Sequence, residues 1–315
     1  MNIALTPLLD RRKFRDPATT ADGIARATVE LGALTTLWFN TGSLCDLTCT
    51  HCYIESSPKN DRLSYLTPDD VALYLNEIAT RRLPTWEIGF TGGEPFMNPD
   101  IIELIGMALE RGFEALVLSN AMRPMMKLTA PLADLHRRYP NRLTVRVSLD
   151  HYTEAHHDEE RGEHAWARTL PGLRWLMEQG ICLVIAGRNR WGEDESTLRR
   201  EYGRLFVRLG LDVDQSDPAA LVLFPEMDEA LDVPEITTAC WGILSVDPQA
   251  MMCATSRMVV KRKEAERPVV LPCTLLPYDP QFEMGETLAA ARAPVALNHP
   301  HCARFCVLGG GSCSA

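Results

Sequence analysis

The sequence predicts an α/β protein built on a partial (β/α)6 TIM-like barrel. From Leu34 to about Phe224, short β-rich runs alternate with amphipathic helical stretches, the pattern of repeated βα units and a parallel sheet. Six such units fit into about 190 residues, whereas a closed barrel needs eight strands and roughly 250 residues. We therefore expect an open barrel, followed by a region that is organised differently.

Each expected strand is a short apolar or β-branched run between two helical stretches. These runs are 35–40, 87–90, 115–118, 143–149, 181–186 and a less defined one within 211–224. Parallel βα folds place their chemistry at the carboxyl ends of the strands. Residues that directly follow these runs are therefore the candidates for a functional site.

The helices between the strands carry start and stop signals. Thr67-Pro68-Asp69-Asp70 supplies an N-cap, a proline at the first helical position and a capping-box acid. Asn98-Pro99-Asp100 repeats this device before the next helix. Gly112, Gly180 and Gly210 each stand just before an apolar run, where a glycine ends the preceding helix.

Composition excludes some classes of function. The chain has 315 residues, and 32 basic against 42 acidic side chains give a formal charge of −10, which disfavours nucleic acid as a partner. No run approaches the roughly 18 apolar residues of a membrane span. The apolar start, 1–9, precedes the basic cluster 11–13, the reverse order of a secretory signal. We expect a cytoplasmic protein with no membrane partner.

Ten cysteines in a reducing compartment indicate metal binding or catalysis more often than disulfides. Cys45, Cys49 and Cys52 lie within eight positions, and six more follow from Cys240 onward. Cys182, in an apolar run, is expected to be a buried core residue. This distribution predicts two separate metal regions.

The domain prediction follows from the same patterns. Residues 1–33 are too few for an independent domain and are expected to form a lead-in helix and strand cover. The barrel is expected over 34–224. Residues 225–315 are rich in Pro and Cys with weak periodicity, so bound metal rather than an apolar core is expected to order them.

The loop from Cys45 to Cys52 follows the first strand directly, at the mouth of the expected barrel. Its three thiolates can ligate three irons of a cubane and leave the fourth iron open for a substrate. A closed structural zinc or electron-transfer site would use four protein ligands. Glu94, after Gly92 and Gly93, offers a carboxylate to a cationic amine, and the two glycines allow the backbone to approach a ligand closely.

The CxxxCxxC spacing after a first strand resembles the signature of the radical S-adenosylmethionine (SAM) superfamily. Gly92-Gly93-Glu94-Pro95 resembles its GGE motif, which binds the amino group of SAM. The resemblance implies a [4Fe–4S] cluster on Cys45, Cys49 and Cys52 that is reduced by a flavodoxin- or ferredoxin-type protein. It also implies that SAM is cleaved to a 5′-deoxyadenosyl radical, which takes a hydrogen atom from substrate.

The resemblance also implies which other residues contact SAM. His51 and Tyr53 would lie near the adenine. The residues that would line the ribose and the carboxylate are Ser119, Asn120, Ser148, Asp150 and Arg188.

The tail resembles the auxiliary-cluster region called SPASM, or its shorter form, twitch. The cysteines that carry this resemblance are Cys253, Cys273, Cys302, Cys306 and Cys313. Segments 49–53 and 157–162 also look like that branch of the superfamily. One auxiliary [4Fe–4S] cluster is implied on four of these cysteines, with Cys240 as an extra candidate. Thiolate spacing alone leaves a zinc knuckle open.

Other polar groups are given no role in the predicted site. His151, His156 and His157 lie in a charged stretch that is typical of solvated surface. The acidic runs 158–160 and 193–195 are expected to be loop and helix-start charge. His299 and His301 flank Cys302, which is weak ground for a ligand role.

The SPASM-type resemblance favours a radical oxidoreductase or maturase that modifies a peptide. The short N-terminal segment implies that a separate protein would recognise that peptide. Dehydrogenation or rearrangement of a small molecule, such as a sugar or amino acid derivative, is the alternative. A non-catalytic iron–sulfur redox protein is a third hypothesis, but it has no use for an open iron beside a GGE loop.

Overall fold

The computed structural model describes residues 7–312, and its strands form two sheets. The strands are β1 (Thr28–Val29), β2 (Thr36–Asn40), β3 (Glu87–Thr91), β4 (Glu114–Ser119), β5 (Leu143–Ser148), β6 (Cys182–Asn189), β7 (Leu221–Pro225), β8 (Ser256–Val260), β9 (Val269–Leu271) and β10 (Val295–Ala296). The larger sheet has the order β7-β6-β5-β4-β3-β2-β8-β9, and β1 pairs with β10 in the smaller one.

The α-helices lie mainly between consecutive strands of the larger sheet. They are α1 (Pro68–Arg81), α2 (Ile101–Glu110), α3 (Arg123–Met126), α4 (Thr129–Arg138), α5 (Glu154–Arg161), α6 (Ala165–Glu178), α7 (Glu195–Leu209), α8 (Cys240–Leu244) and α9 (Met252–Thr255). A π-helix, Cys302–Leu308, follows near the end of the chain. No helix within residues 7–312 is long and apolar enough to cross a membrane.

The six strands β2 to β7 are parallel and consecutive, so the prediction of a partial barrel of six βα units is confirmed. The sheet does not end there. The tail adds β8, which pairs in parallel with β2, and β9, which pairs antiparallel with β8. The weak periodicity of the tail had hidden both strands.

The sheet separates two apolar cores. Leu37 and Phe39 of β2 face the helices, whereas Trp38 between them belongs to a core formed largely by the tail. The tail contributes Met252, Phe305 and their neighbours to this core. The expectation that the tail lacks an apolar core was therefore wrong, because the inner face of the barrel supplies the apolar partner.

Helix-start signals in the sequence were right at one helix and wrong at the next. Thr67 and Asp70 form the predicted capping box of α1, with the Thr67 N–H donating to the Asp70 carboxylate at 3.0 Å. At α2 the N-cap is Asp100, not Asn98. The Asn98 amide instead donates to the carbonyls of Thr41 and Leu66, at 3.2 and 2.9 Å, and so ties three loops together.

Two other expectations failed. Residues 7–33 contain turns and the short strand β1, and none of them is helical. Arg26 anchors this segment through a buried ion pair with Glu235 at 2.5 Å. Cys182 is exposed, because it opens β6 at the rim of the sheet before the strand enters the core.

Candidate functional site

A cavity lies at the carboxyl ends of β2 to β7 and contains nearly all the residues that the sequence analysis had singled out around the cysteine loop. It encloses about 920 Å³, part of it open to solvent. Of the predicted residues, it is lined by Cys45, Cys49, His51, Cys52, Tyr53, Gly92, Gly93, Ser119, Asn120, Ser148, Asp150 and Arg188. Its volume suits a ligand of cofactor size.

The GGE turn is locked against the start of the cysteine loop. The Gly93 and Glu94 N–H groups donate to the carbonyls of Gly42 and Leu44, at 2.8 and 3.1 Å. A Cβ at Gly92 would lie 2.5 Å from the Gly42 oxygen, and one at Gly93 would lie 2.1 Å from the Leu44 oxygen. The two glycines therefore allow the GGE turn to pack against the cysteine loop. From the sequence they were expected to allow the backbone to approach a ligand.

Glu94 is buried directly behind this turn, with only 2% of its surface exposed. Its carboxylate accepts hydrogen bonds from the Ser119 hydroxyl at 2.9 Å, the Asn120 N–H at 2.8 Å and the Phe96 N–H at 3.2 Å. Burial raises the pKa of Glu94 to about 7, and none of the described residues places a cation on it. The carboxylate is therefore held ready for a cationic partner.

Ser119 is the last residue of β4, and Asn120 follows it. The two residues connect Glu94 to the cysteine loop. The Asn120 side-chain amide donates to Asp46 at 2.8 Å, and its carbonyl oxygen accepts from the Met122 N–H at 2.9 Å. These bonds fix Glu94 and the residue next to Cys45 in one rigid unit. Asn120 therefore orients the site in addition to lining it.

Asp150 is engaged by arginines rather than left open for a ribose. Arg161 binds it through Nε at 2.5 Å and through Nη2 at 3.1 Å, and Arg188 lies 4.0 Å away. Burial acts to raise the pKa of Asp150, but the two arginines hold it below its usual value. Arg161 also approaches the Cys49 sulfur at 4.0 Å, so it places positive charge beside a thiol whose pKa burial raises to about 11.

Glu160 binds the cysteine loop from α5. Its carboxylate accepts from the His51 N–H at 3.0 Å, contacts His51 Nδ1 at 2.8 Å and accepts from Arg188 Nη1 at 2.6 Å. Arg188 also donates to the His51 carbonyl at 2.9 Å. Glu160 is 3% exposed and lies near the end of α5, so its assignment to loop or helix-start charge was wrong.

Two histidines that were expected on the surface are buried. His157 accepts from the Asp150 N–H at 3.2 Å, and burial lowers its pKa to about 4, so it is neutral. His151 contacts Glu193 at 2.8 Å. His157 thereby joins α5 to the residue after β5, whereas His151 contacts the loop between β6 and α7. His156 is partly exposed, as expected.

The structure adds Arg146, Glu160, Arg161, Phe224 and Met227 to the cavity lining. Glu160 and Arg161 lie within segment 157–162, which resembles the SPASM-type branch, but neither residue was predicted to line the cavity. Met227 lies shortly after the end of β7. Its position after a strand is the sequence signal that could have identified it.

The tail cysteines gather in the second core. Cys253, Cys273 and Cys302 are buried, and Cys306 and Cys240 are partly buried against the same core. Cys302 and Cys306 lie four positions apart on the π-helix. Cys313 lies outside the described residues.

The surroundings of these cysteines keep two of the thiols neutral when no metal is bound. Burial and the nearby Cys253 raise the pKa of Cys302 to about 12, and burial raises the pKa of Cys253 to about 11 despite the nearby Arg257. A metal would favour the thiolates that burial alone disfavours. Arg257 is also wholly buried, and its Nη1 donates to the Cys253 carbonyl at 2.6 Å.

Glu229, His299 and His301 bring one ligand atom each to within 4.8 Å of one another. However, His299 Nδ1 accepts from the His301 N–H at 3.1 Å, which leaves the proton of the neutral ring on Nε2. It is this Nε2 that faces Glu229, at 3.6 Å. A metal would require the other tautomer, so we assign none to this group.

Taken together, a parallel open barrel with three cysteines on the loop after its first strand defines an iron–sulfur, cofactor-binding α/β protein. Residues 39–187 match the family model described as the radical SAM superfamily. The chain thus contains a radical SAM domain, whose cofactors are a [4Fe–4S] cluster and SAM, and the recognition made from the two motifs is confirmed.

Two curated relatives share this part of the chain. The antilisterial bacteriocin subtilosin biosynthesis protein AlbA of Bacillus subtilis is 29% identical over 143 residues, 45% of this chain and 30% of AlbA. The Fe-coproporphyrin III synthase of Methanosarcina barkeri is 31% identical over 144 residues, 45% of this chain and 34% of the synthase. The chain therefore spans about a third of the length of these relatives.

The fold likeness extends into the tail. The crystal structure of Streptococcus suis SuiB bound to its precursor peptide SuiA matches 84% of this chain and 66% of SuiB, with a TM-score of 0.60 at 14% identity. At this identity the match describes the fold alone.

Proposed function

We propose that this chain is a radical SAM enzyme in which Cys45, Cys49 and Cys52 hold the cluster at the barrel mouth. The observation that carries the proposal is the buried Glu94 carboxylate, which is hydrogen-bonded to the cysteine-loop unit and has no cation among residues 7–312. When bound, the cluster and SAM supply a 5′-deoxyadenosyl radical that abstracts hydrogen from substrate.

The chain's own residues bind and orient the cofactor. Glu94 receives the amine of SAM, and Asn120 keeps Glu94 in register with the cysteine loop. Arg188 presents its guanidinium to the cavity while it holds His51. Tyr53 and Ser148 complete the lining near the adenine and the ribose.

We propose that the tail holds one auxiliary [4Fe–4S] cluster on four of the five cysteines from Cys253 to Cys313. Burial of three of them in one core supports this assignment. The proposed domains are 1–33, 34–224 and 225–315. The last is proposed as a separate functional unit. It does not fold separately from the barrel, because its strand β8 pairs with β2 in the barrel sheet.

The proposed substrate is a peptide, and the reaction is a maturase-type modification. The role of AlbA in the biosynthesis of a bacteriocin supports this class. A small-molecule substrate is the second candidate, because the name of the second relative describes the synthesis of a porphyrin. We further propose a cytoplasmic enzyme, a flavodoxin- or ferredoxin-type reductant and a separate peptide-recognition protein.

The test is anaerobic purification with reconstitution, followed by measurement of iron and of 5′-deoxyadenosine formed from SAM. We expect about eight irons per chain, falling to about four when Cys45, Cys49 and Cys52 are changed together to Ala. The same change should abolish 5′-deoxyadenosine. Cys182→Ala, which alters an exposed thiol, is the matched control and should change neither value. Cleavage of SAM by the triple variant would refute the proposed site.

A further inference from the structure

A surface groove lies beside the cysteine loop, at the same end of the sheet as the cofactor cavity. It encloses about 860 Å³, part of it open to solvent. Its lining comes from the segments that follow β2, β3 and β4, and consists of Asp46, Phe96, Met97, Asn98, Pro99, Arg123, Pro124, Lys127 and Leu128. None of these residues lines the cofactor cavity. A molecule bound in the groove would therefore leave that cavity free.

Asp46 brings the groove close to the proposed iron site. It directly follows Cys45, and its carboxylate oxygen lies 3.9 Å from the Cys45 sulfur. The Asn120 side-chain amide donates to the same oxygen at 2.8 Å, which holds the Asp46 side chain in place. A single side chain thus separates a molecule in the groove from a sulfur that we propose as an iron ligand.

Two cations, Arg123 and Lys127, stand on the groove. Arg123 begins the short helix α3, and Lys127 follows its last residue, one turn further on. Both side chains are exposed, and neither forms an ion pair within residues 7–312. The acid in the lining, Asp46, is already held by Asn120. Because the chain has a formal charge of −10, these unpaired cations are a local exception on a surface that otherwise repels acidic molecules.

The remainder of the groove is largely apolar. Met97, Pro124 and Leu128 are partly exposed there, and Pro99 is exposed. Transient electron-transfer complexes use small interfaces of this kind. Charges at the rim of such an interface mainly set the rate of association and its dependence on salt. The groove therefore suits a protein that binds briefly and leaves again.

Beyond Pro99 the surface becomes acidic. The adjoining hollow is lined by three acids on or beside α2, which are Asp100, Glu103 and Glu110. Its one arginine, Arg138, lies 3.9 Å from Glu110. An acidic protein is repelled from that side, so the two cations determine where it can approach the cysteine loop.

We propose that this groove is the docking site of a small acidic electron-carrier protein, which reduces the cluster held by the cysteine loop. The inference rests on the proposed function. One electron leaves the reduced carrier and enters the oxidised cluster, so the carrier is oxidised by one electron and no covalent bond changes. Because the groove and the cofactor cavity share no lining residue, the carrier binds while SAM is in place.

The first test compares two electron sources for the iron-loaded, full-length enzyme. Formation of 5′-deoxyadenosine from SAM is measured with reduced flavodoxin, an acidic carrier, and separately with dithionite, which needs no docking site. In the double variant Arg123→Glu, Lys127→Glu, the flavodoxin concentration that gives the half-maximal rate should rise about tenfold or more. The rate with dithionite should not change. Arg123→Lys retains the charge and should behave as the wild type does.

The matched control changes Arg111 and Arg208 together to Glu. Both arginines are exposed and form no ion pair within the described part of the chain. They stand at the carboxyl ends of α2 and α7, at the end of the sheet away from the cysteine loop. The formal charge changes equally in the two double variants. An effect of overall charge would appear in both, whereas an effect of docking appears only in the first.

The second test measures binding without turnover, by calorimetric titration of flavodoxin into the iron-loaded enzyme. The dissociation constant of the wild type should rise with salt, because salt screens the exposed cations. The Arg123, Lys127 variant should bind about tenfold more weakly, with a flatter dependence on salt.

Three results would overturn the proposal. One is a double variant that keeps the wild-type affinity and rate with flavodoxin. Another is an equal loss of activity with dithionite, which would mean that the two residues support the cysteine loop itself. The last is a wild type that cleaves SAM with dithionite but not with flavodoxin. A wild type that cleaves no SAM with either electron source would instead refute the proposed function.

Discussion

The cysteine loop and the tail cysteines lie in opposite electrostatic surroundings. Around the loop, acids and bases are matched, with Asp150 on Arg161 and Glu160 on Arg188. In the tail core the thiols of Cys253, Cys273 and Cys302 lie among apolar side chains. One region pairs its arginines with carboxylates at a cavity that is partly open to solvent, and the other surrounds its thiols with apolar side chains.

This difference suits two ways of using iron. A site that exchanges SAM must remain ordered whenever the cavity is empty, and a network of ion pairs and hydrogen bonds provides that order. A resident cluster never leaves during turnover, so its site can depend on it for stability. We therefore expect the loop cluster to be required for cleavage of SAM. We expect the tail cluster to be required for both thermal stability and substrate turnover.

The largest expected effect tests this division directly. Changing Cys253 and Cys302 to Ala should remove four irons and lower the melting temperature by roughly 5–10 °C, since a loss of about 3 kcal/mol has that effect in a domain of this size. Slow 5′-deoxyadenosine formation should persist. The loop triple variant should show the reverse pattern in calorimetry and product analysis. Equal melting temperatures for the two variants would contradict the comparison.

The second prediction concerns the contact between the GGE turn and the cysteine loop. Gly93→Ala would place a methyl group 2.1 Å from the Leu44 carbonyl, so the loop must shift. We expect loss of most of the loop iron and a destabilisation of about 1–3 kcal/mol, measured by iron analysis and denaturant unfolding. Gly106→Ala is the control, because its Cβ would meet only Leu135 at an ordinary 3.6 Å. A Gly93→Ala protein with full loop iron would show that the close contact is dispensable.

The third prediction uses the pKa of Glu94. Glu94→Gln should weaken SAM binding roughly tenfold to a hundredfold, because it removes a charge-assisted hydrogen bond worth about 1.5–3 kcal/mol. The exposed Glu103, changed to Gln, should leave the affinity unaltered. Isothermal titration calorimetry provides both values.

The same residue predicts a pH dependence. Its pKa is about 7 in the ligand-free protein, so below that pH the carboxyl is protonated and must release a proton to accept the amine. Affinity should therefore fall about tenfold per pH unit below pH 7 and level off just above it. Glu94→Gln should flatten this slope. A wild-type affinity that is constant from pH 5.5 to 7 would show that Glu94 is already ionised across this range in the ligand-free protein, and would contradict the raised pKa.

Local signals predicted the parts of the molecule that local chemistry determines. The six strands, the capping box at Thr67 and the grouping of the CxxxCxxC loop with Gly92 and Gly93 follow from short patterns and from the rule that parallel strands end at one mouth. The structure brings together the residues predicted for the cofactor cavity, and Glu94 lies directly behind them.

The remainder depends on partners that are distant in sequence. Glu160 stands in a run of charged residues, and only its contacts to His51 and Arg188, 109 and 28 positions away, distinguish it from a surface acid. Likewise β8 is a strand because β2 offers an edge 220 residues earlier in the chain, with Thr36 opposite Ser256. Cys182 illustrates the converse, since an apolar run does not reveal which of its residues lies at the rim.

The smallest expected effect concerns Glu160, which contacts the cysteine loop without contacting an iron ligand itself. Glu160→Gln keeps the shape of the side chain but removes the charge shared with Arg188 and His51, so we expect a loss of about 1 kcal/mol, or roughly fivefold in SAM affinity. Iron content should not change, because the loop remains tied to α5 by the bond from the Thr50 N–H to the Glu160 carbonyl at 2.9 Å. Glu159→Gln is the matched control, since that neighbour is exposed and contacts His156 and Trp191 on the outer surface. A variant at Glu160 that binds SAM as the wild type does, with the Glu159 control unchanged, would show that the loop needs no charge on α5. The order of the loop site would then rest on the GGE turn, on Asn120 and on the backbone bond from Thr50.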